Sequence, residues 1–67
     1  MQPVESSAVA RIGYDAEASE AYVEFHESGT YVYSAVPPRV FEAFQHAVSK
    51  GKFVNYVLKR WYSSYRL

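Results

Sequence analysis

The sequence predicts an α+β domain in which a three-stranded antiparallel sheet is followed by two amphipathic helices packed on one of its faces. Three observations support this prediction. Apolar and polar residues alternate along much of the first 36 residues, as in half-buried strands. The double proline Pro37-Pro38 interrupts that pattern. After it, apolar residues recur three and four positions apart, as on one face of a helix.

The three predicted strands span residues 7–14, 20–26 and 30–36. The second strand shows the alternation most clearly, because one of its faces is apolar and the other is mostly polar. The apolar face holds Ala21, Val23 and Phe25, and the other face holds Tyr22, Glu24 and His26. The third strand follows Gly29, which suits the positive-φ position of a short hairpin loop.

The first helix is expected to begin at the double proline. Pro37 cannot donate a hydrogen bond to a strand, and Pro38 suits the first turn of a helix. The apolar stripe of this helix comprises Val40, Phe41, Phe44, Ala47 and Val48. Gly51 is expected to end it.

The second helix is expected to follow Gly51. Its apolar stripe comprises Phe53, Val54, Val57, Leu58, Trp61 and Tyr62, with Tyr65 as a further member. A domain this small buries only about 60% of the surface of its unfolded chain. The twelve aromatic residues are therefore expected to supply much of the core.

The chain is expected to form one domain over residues 7–67, preceded by a loose N-terminal arm at residues 1–6. It contains no cysteine, which excludes disulfides and thiolate-ligated metal sites. No basic and then apolar segment marks a signal peptide, and no apolar run approaches the roughly 20 residues of a membrane span. We therefore expect a soluble, cytoplasmic protein that does not contact a membrane.

Charge is distributed unevenly along a chain whose formal net charge is zero. Residues 1–36 carry one basic and six acidic side chains, whereas residues 37–67 carry six basic and one acidic. A basic segment of this kind is typical of proteins that bind nucleic acid or another anionic partner. An alternative interpretation is that the acidic strands and basic helices attract one another within the domain.

Basic side chains interleaved with an aromatic ring and an amide are the strongest functional signal. The candidate RNA-binding residues are Lys50, Lys52, Asn55, Tyr56, Lys59 and Arg60. The cations can follow a phosphate backbone while the ring stacks on a base. Two alternatives stay open: this helix face is simply solvated, and Asn55 bonds backbone groups near Gly51 instead of RNA.

Tyr31 and Tyr33 form a second candidate site, because they share one face of the third strand. If they join Tyr22 on the open face of the sheet, they form a stacking platform of the kind that binders of single-stranded RNA use. If they face the helices, they belong to the core. The small size of the domain favours the core, since it has few other large groups to bury.

The sequence offers no catalytic or metal-binding constellation. His26 lies near two glutamates and His46 lies on the outer face of the first helix, but neither has the partners of a general base or a metal site. The segment Ser49-Lys50-Gly51-Lys52 lacks the pattern of a phosphate-binding loop. It is a basic turn that either holds a phosphate or connects the helices. We expect neither an enzyme nor a cofactor.

Several short motifs together resemble the KTSC domain family. They are Tyr31-x-Tyr33, Val36-Pro37, Ala47-x-Ser49-x-Gly51, and Phe53-x-Asn55 followed by Tyr62. The resemblance runs from about Val9 to Leu67. The family takes its name from the C-terminal extension of some lysyl-tRNA synthetases and also occurs as short stand-alone bacterial proteins. The resemblance implies the fold and, through the attachment to a tRNA enzyme, RNA or tRNA as a ligand.

These observations lead to two hypotheses about function. The first is a small non-enzymatic module that binds tRNA or another structured RNA through the second helix. The second is a protein-interaction module or homodimer that uses the open sheet face or an edge strand. Exposed aromatic rings and unpaired backbone groups at those places would support the second hypothesis.

Overall fold

The computed structural model describes all 67 residues, which form one antiparallel sheet and two helical segments. The strands are β1 (Gln2–Pro3), β2 (Val9–Asp15), β3 (Glu20–Phe25), β4 (Gly29–Tyr33) and β5 (Ser64–Arg66). The helices are α1 (Pro38–His46) and α2, which covers residues 50–61. The strands lie in the order of the chain, and every neighbouring pair is antiparallel. The α+β class is confirmed, but the sheet has five strands instead of three.

The N-terminal residues are tied to the sheet, where a loose arm was expected. Gln2 lies opposite Ile12 and Pro3 opposite Arg11. The Val4 amide also donates to the Ala10 carbonyl at 3.1 Å, and the Val4 side chain packs against the core. Two residues of strand are too few to show an alternating pattern, so β1 has no recognisable signal in the sequence.

Residues that were expected to end the second helix instead form the last strand. In β5, Tyr65 lies opposite Val32 and Ser64 opposite Tyr33. Tyr65 therefore belongs to the sheet and not to a helical stripe. The reason is that the chain turns out of α2 at Tyr62, whose backbone is extended, and the following residues find a free strand edge at β4.

One face of the sheet packs against the helices and forms the hydrophobic core. The core comprises Val9, Ile12, Ala21, Val23, Tyr33, Val36, Phe41, Phe44, Val54 and Leu58. Tyr33 is only 1% exposed, and Tyr31 packs against the same cluster. Both tyrosines therefore face the helices. A stacking platform that unites them with Tyr22 on the open face does not exist, because Tyr22 alternates onto the other side of the sheet.

The open face of the sheet carries its own small cluster. Val32 lies between Tyr22 and Tyr65 in the register of β3, β4 and β5 and is fully buried there. Both tyrosine hydroxyls donate to the Glu20 carboxylate, Tyr22 at 3.4 Å and Tyr65 at 3.2 Å. Desolvation, followed by the charge of Glu20, raises the pKa of each of these two tyrosines.

The chain passes from the sheet to α1 through a buried joint at Val36. Ala35 has a φ of 56°, and this left-handed residue turns the chain after β4. The Val36 amide donates to the Ser19 carbonyl of the β2–β3 turn at 2.8 Å. The Val36 carbonyl accepts from the Tyr14 hydroxyl at 2.6 Å. Because Val36 is fully buried, these two bonds satisfy backbone groups that water does not reach.

Helix α1 is fastened by stacked aromatic rings. Phe41 stacks on Tyr14 with 4.9 Å between the ring centroids, and Phe44 stacks on Phe53 at 5.1 Å. Offset aromatic pairs of this kind add to the free energy gained from burial. Tyr14 thus contacts both Val36, before α1, and Phe41, the first buried ring within α1.

The first helix ends earlier than expected. Its last residue is His46, and Ala47 has an extended backbone. Val48 consequently lies outside the apolar stripe and is fully exposed. Gly51 does not end α1, as had been expected, but lies in the first turn of α2, next to the Ala8 side chain.

Helix α2 is continuous, but its middle is π-helical. Lys50–Phe53 and Lys59–Trp61 are α-helical, and Val54–Leu58 is π-helical. Bonds from i to i+5 place more residues in a turn than an α-helix does, so residues after Leu58 are rotated from their α-helical positions. Trp61, expected in the apolar stripe, is 69% exposed as a result. No helix of the chain is long and apolar enough to cross a membrane.

The joint at Val36 predicts the effect of removing one hydroxyl. Tyr14→Phe is expected to lower the free energy of unfolding by about 1–2 kcal/mol, because the buried Val36 carbonyl loses its donor while the ring stacking remains. Urea denaturation followed by circular dichroism measures this change. Tyr56→Phe removes an exposed hydroxyl and serves as the control, with a change within about 0.5 kcal/mol. Equal stability of the two variants would contradict this role of Tyr14.

The aromatic core predicts a larger effect at Phe44. Phe44→Ala is expected to cost about 3–5 kcal/mol, because it empties a fully buried site between two other rings. Val48→Ala, at a fully exposed position, is the control and is expected to change stability by less than about 0.5 kcal/mol. Similar midpoints for the two variants in a urea titration would show that α1 is not held by this ring.

Candidate functional site

Five of the six candidate RNA-binding residues lie on an exposed face of α2. Lys52, Asn55, Tyr56, Lys59 and Arg60 are all exposed, and we call this set the basic helix face. All five belong to the same helix, α2, with Lys59 and Arg60 directly after its π-helical segment. Asn55 makes no side-chain hydrogen bond to the turn near Gly51; the Ser49 side chain instead accepts from the Lys52 amide at 3.2 Å.

Lys50 differs from the other candidates. Its side chain is half-buried, and its ammonium group donates to the Ala47 carbonyl. That carbonyl lies in the connection between the two helices, so Lys50 closes this connection. It does not extend the basic helix face.

The cations of α2 form no ion pair within the chain. The only salt bridge joins Arg11 of β2 to Glu24 of β3, both on the strands. The Arg11 guanidinium accordingly lowers the pKa of Glu24. No ion pair therefore links the acidic strands to the basic helices, as the alternative interpretation would require. The charges of Lys52, Lys59 and Arg60 remain available to a partner.

Two exposed aromatic rings accompany these cations. Tyr56 is 68% exposed and Trp61 is 69% exposed. The Arg60 guanidinium lies 5.4 Å from the centre of the Trp61 ring, a cation–π distance. The helical pattern predicted that Trp61 would lie in the core, and this prediction is wrong.

A groove opens beside the basic helix face, on the helix-facing side of the sheet. It has a volume of about 290 Å³ and is lined by Phe25, Ser28, Tyr31, Tyr33, Lys59 and Ser64. We call it the aromatic groove. Phe25 and Tyr31 meet edge to face, with ring centroids 5.7 Å apart. The Lys59 ammonium lies 6.0 Å from the centre of the Phe25 ring, so one cation belongs to both the groove and the basic helix face.

The strand register explains why space remains there. Tyr33 lies opposite the small residue Ser64, and Tyr31 lies opposite Arg66. At the β3–β4 turn Gly29 has a φ of 86°, and the Arg66 guanidinium lies 3.3 Å from the point where a Cβ of Gly29 would stand. Small residues thus leave the groove open, and the Arg66 guanidinium lies beside Gly29, the neighbour of the lining residue Ser28.

The Tyr33 hydroxyl is directed into this groove. Three other tyrosine hydroxyls bond within the chain, those of Tyr14, Tyr22 and Tyr65, but the Tyr33 hydroxyl does not. No fully enclosed side-chain oxygen or nitrogen lacks a partner, so this hydroxyl reaches the groove that the residue lines. Desolvation and, to a smaller extent, Tyr31 raise the pKa of Tyr33.

The two histidines are placed apart from the groove lining. His26 Nε2 donates to the Ser6 carbonyl at 3.0 Å, and His46 Nδ1 to the Glu42 carbonyl at 2.9 Å. Both rings are exposed. No three side chains of the kinds that ligate metals converge on one point.

Comparisons with known proteins identify the family. The model of the KTSC domain matches residues 5–62. A protein of Tsukamurella paurometabola is 46% identical over 59 residues, which cover 88% of each chain. An uncharacterized protein of Stutzerimonas stutzeri is 41% identical over 56 residues, which cover 84% of this chain and 79% of that one.

A solved structure agrees with these matches. The crystal structure of a KTSC domain protein from Yersinia pestis has a TM-score of 0.95 and 41% identity to this chain, and the match covers 98% of this chain and 93% of the other. The resemblance noted in the sequence is thus confirmed by the family model and by the fold. This chain belongs to the KTSC domain family.

Proposed function

We propose that this protein is a small RNA-binding module that contacts RNA through the basic helix face. The observation that carries the proposal is a set of exposed cations that form no ion pair in the chain and lie among exposed aromatic rings. Such cations can follow a phosphate backbone. Rings such as Tyr56 and Trp61 offer stacking surfaces to unpaired bases.

The zero net charge does not oppose this proposal, because none of the seven acidic side chains forms a salt bridge with a cation of α2. Glu20 and Glu24 lie on the open face of the sheet, across from the helices. At physiological salt, exposed charges separated by more than about 8 Å are largely screened from each other. A phosphate close to Lys52 or Arg60 therefore experiences mainly the nearby cations.

Transfer RNA is the first RNA to test. The reason is the resemblance to a family that includes C-terminal extensions of some lysyl-tRNA synthetases. A cytoplasmic location is part of this proposal. The proposal requires neither a cofactor nor a catalytic residue.

A role in protein interaction is the second candidate. The exposed termini Met1 and Leu67 are large apolar residues, 51% and 71% exposed, and the open face bears Tyr22 and Tyr65. The edge strands are short, two residues in β1 and three in β5, and short edges disfavour pairing with another chain. A partner or second copy is thus expected on the open face. Gel filtration with light scattering of the isolated protein would give a dimer if a second copy covers this face and a monomer if it does not.

The RNA proposal predicts a defined effect of charge removal. Replacing Lys52 and Arg60 together by glutamine is expected to weaken binding to tRNA and to single-stranded RNA roughly tenfold at low salt. For a single strand, the slope of log affinity against log salt is expected to fall by roughly 0.7 for each phosphate that is no longer neutralised. Fluorescence anisotropy with labelled RNA at several salt concentrations measures both quantities.

The matched control for this experiment is Arg39→Glu. It changes the net charge by the same amount as the double variant, but on α1, so its affinity is expected to stay within about twofold. Circular dichroism verifies the fold of both variants. The proposal fails if the wild type does not bind RNA at low salt, if its affinity is indifferent to salt, or if the two variants weaken binding equally.

A further inference from the structure

We propose that the aromatic groove holds one unstacked nucleotide of a single-stranded RNA segment, with its base against Phe25 and Tyr31 and its phosphate towards Lys59 and Arg66. This inference rests on the proposed function, since it assigns to RNA a specific contact beside the basic helix face. The basic helix face then holds the backbone, and the groove captures one base.

The shape of the groove fits a ligand of this size. Its volume of about 290 Å³ lies at the lower end of the roughly 300–1,000 Å³ typical of small-molecule pockets. A groove of this volume offers space for a single base. The edge-to-face pair of Phe25 and Tyr31 provides the aromatic surface on which an unpaired base packs.

The polar groups of the groove suit a base edge better than an apolar ligand. The Tyr33 hydroxyl has no partner in the chain although the residue is 1% exposed, so a ligand in the groove gains a hydrogen bond that the protein leaves free. Ser28 and Ser64 add hydroxyls to the same lining. A purely aliphatic ligand would leave all three groups unpaired, which is unfavourable.

The charges around the groove suit the phosphate. Lys59 lies over the Phe25 ring, and the Arg66 guanidinium lies beside Gly29. Because Lys59 also belongs to the basic helix face, a strand that leaves the groove at Lys59 is already in contact with that face. In a paired A-form helix the bases are stacked inside and do not present their faces, so the site selects single-stranded segments.

The test fills the groove without touching the cations. Ser64→Tyr places a ring in the groove and is expected to weaken binding to single-stranded RNA about tenfold, because one base no longer stacks on the protein. Binding to a fully paired RNA duplex is expected to stay unchanged. The control is Ser63→Tyr, at an exposed neighbouring residue that does not line the groove. Its affinity for single-stranded RNA is expected to equal that of the wild type. Fluorescence anisotropy with labelled oligonucleotides measures all three proteins.

A second measurement examines the groove without an RNA strand. Adenosine monophosphate is titrated into ¹⁵N-labelled protein, and shifts are expected at the amides of Phe25, Ser28, Tyr31 and Ser64. Ribose 5-phosphate lacks the base but keeps the phosphate that faces Lys59 and Arg66, so it is expected to leave the Phe25 and Tyr31 amides unmoved. Tyr33→Phe keeps the shape of the groove but removes the free hydroxyl. It is expected to lower the affinity for the nucleotide about threefold to tenfold.

The outcomes separate this inference from the proposed function. If RNA binding is salt-sensitive and falls in the Lys52/Arg60 variant, but Ser64→Tyr binds single strands like the wild type, the groove inference is overturned and the RNA-binding proposal stands. If adenosine monophosphate shifts the groove amides but no RNA binds at low salt, the groove takes a free nucleotide and the RNA proposal fails. If neither RNA nor the nucleotide binds, both are overturned.

Discussion

The position of every element on the helical side of the molecule depends on how Val36 is held. Its amide and carbonyl are both bonded to the β2–β3 hairpin, through Ser19 and Tyr14, so the chain leaves the sheet at one defined place and direction. Helix α1 starts two residues later and stacks Phe41 on that same Tyr14. The hairpin thus fixes where α1 begins, and Tyr14 connects the hydrogen-bonded joint to the aromatic core.

The π-helical segment of α2 determines which side chains are exposed at the C-terminal end of this helix. An α-helix throughout would direct Trp61 into the core beside Leu58. The wider turns over Val54–Leu58 rotate it out instead, where its ring meets the Arg60 guanidinium. π-Helical turns are often found at functional sites. Here such a turn lies within the helix that carries the exposed cations and aromatics, and it ends directly before Lys59.

The two candidate contacts share one feature, which is that charged or polar groups without a partner in the chain are open to a ligand. The basic helix face presents cations without counterions, and the aromatic groove presents the hydroxyl of an otherwise buried tyrosine. Lys59 connects the two, since it lies over Phe25 in the groove and on the exposed side of α2. The negative charges of the strands are directed elsewhere, with Glu20 accepting from tyrosines and Glu24 paired with Arg11.

The sequence by itself determined the fold class, the existence of the three long strands, the start of α1 and the exposure of the polar residues of α2 other than Lys50. These features follow from local periodicity and from Pro37-Pro38, which act over a few residues. Only the tertiary structure decided the rest. β1 and β5 are too short for a periodic signal and exist because β2 and β4 offer free edges. The exposure of Trp61 depends on a register shift that α-helical spacing does not reveal. The groove is formed by Phe25, Tyr33, Lys59 and Ser64, which come from separate elements. No local sequence pattern predicts that these residues lie close together.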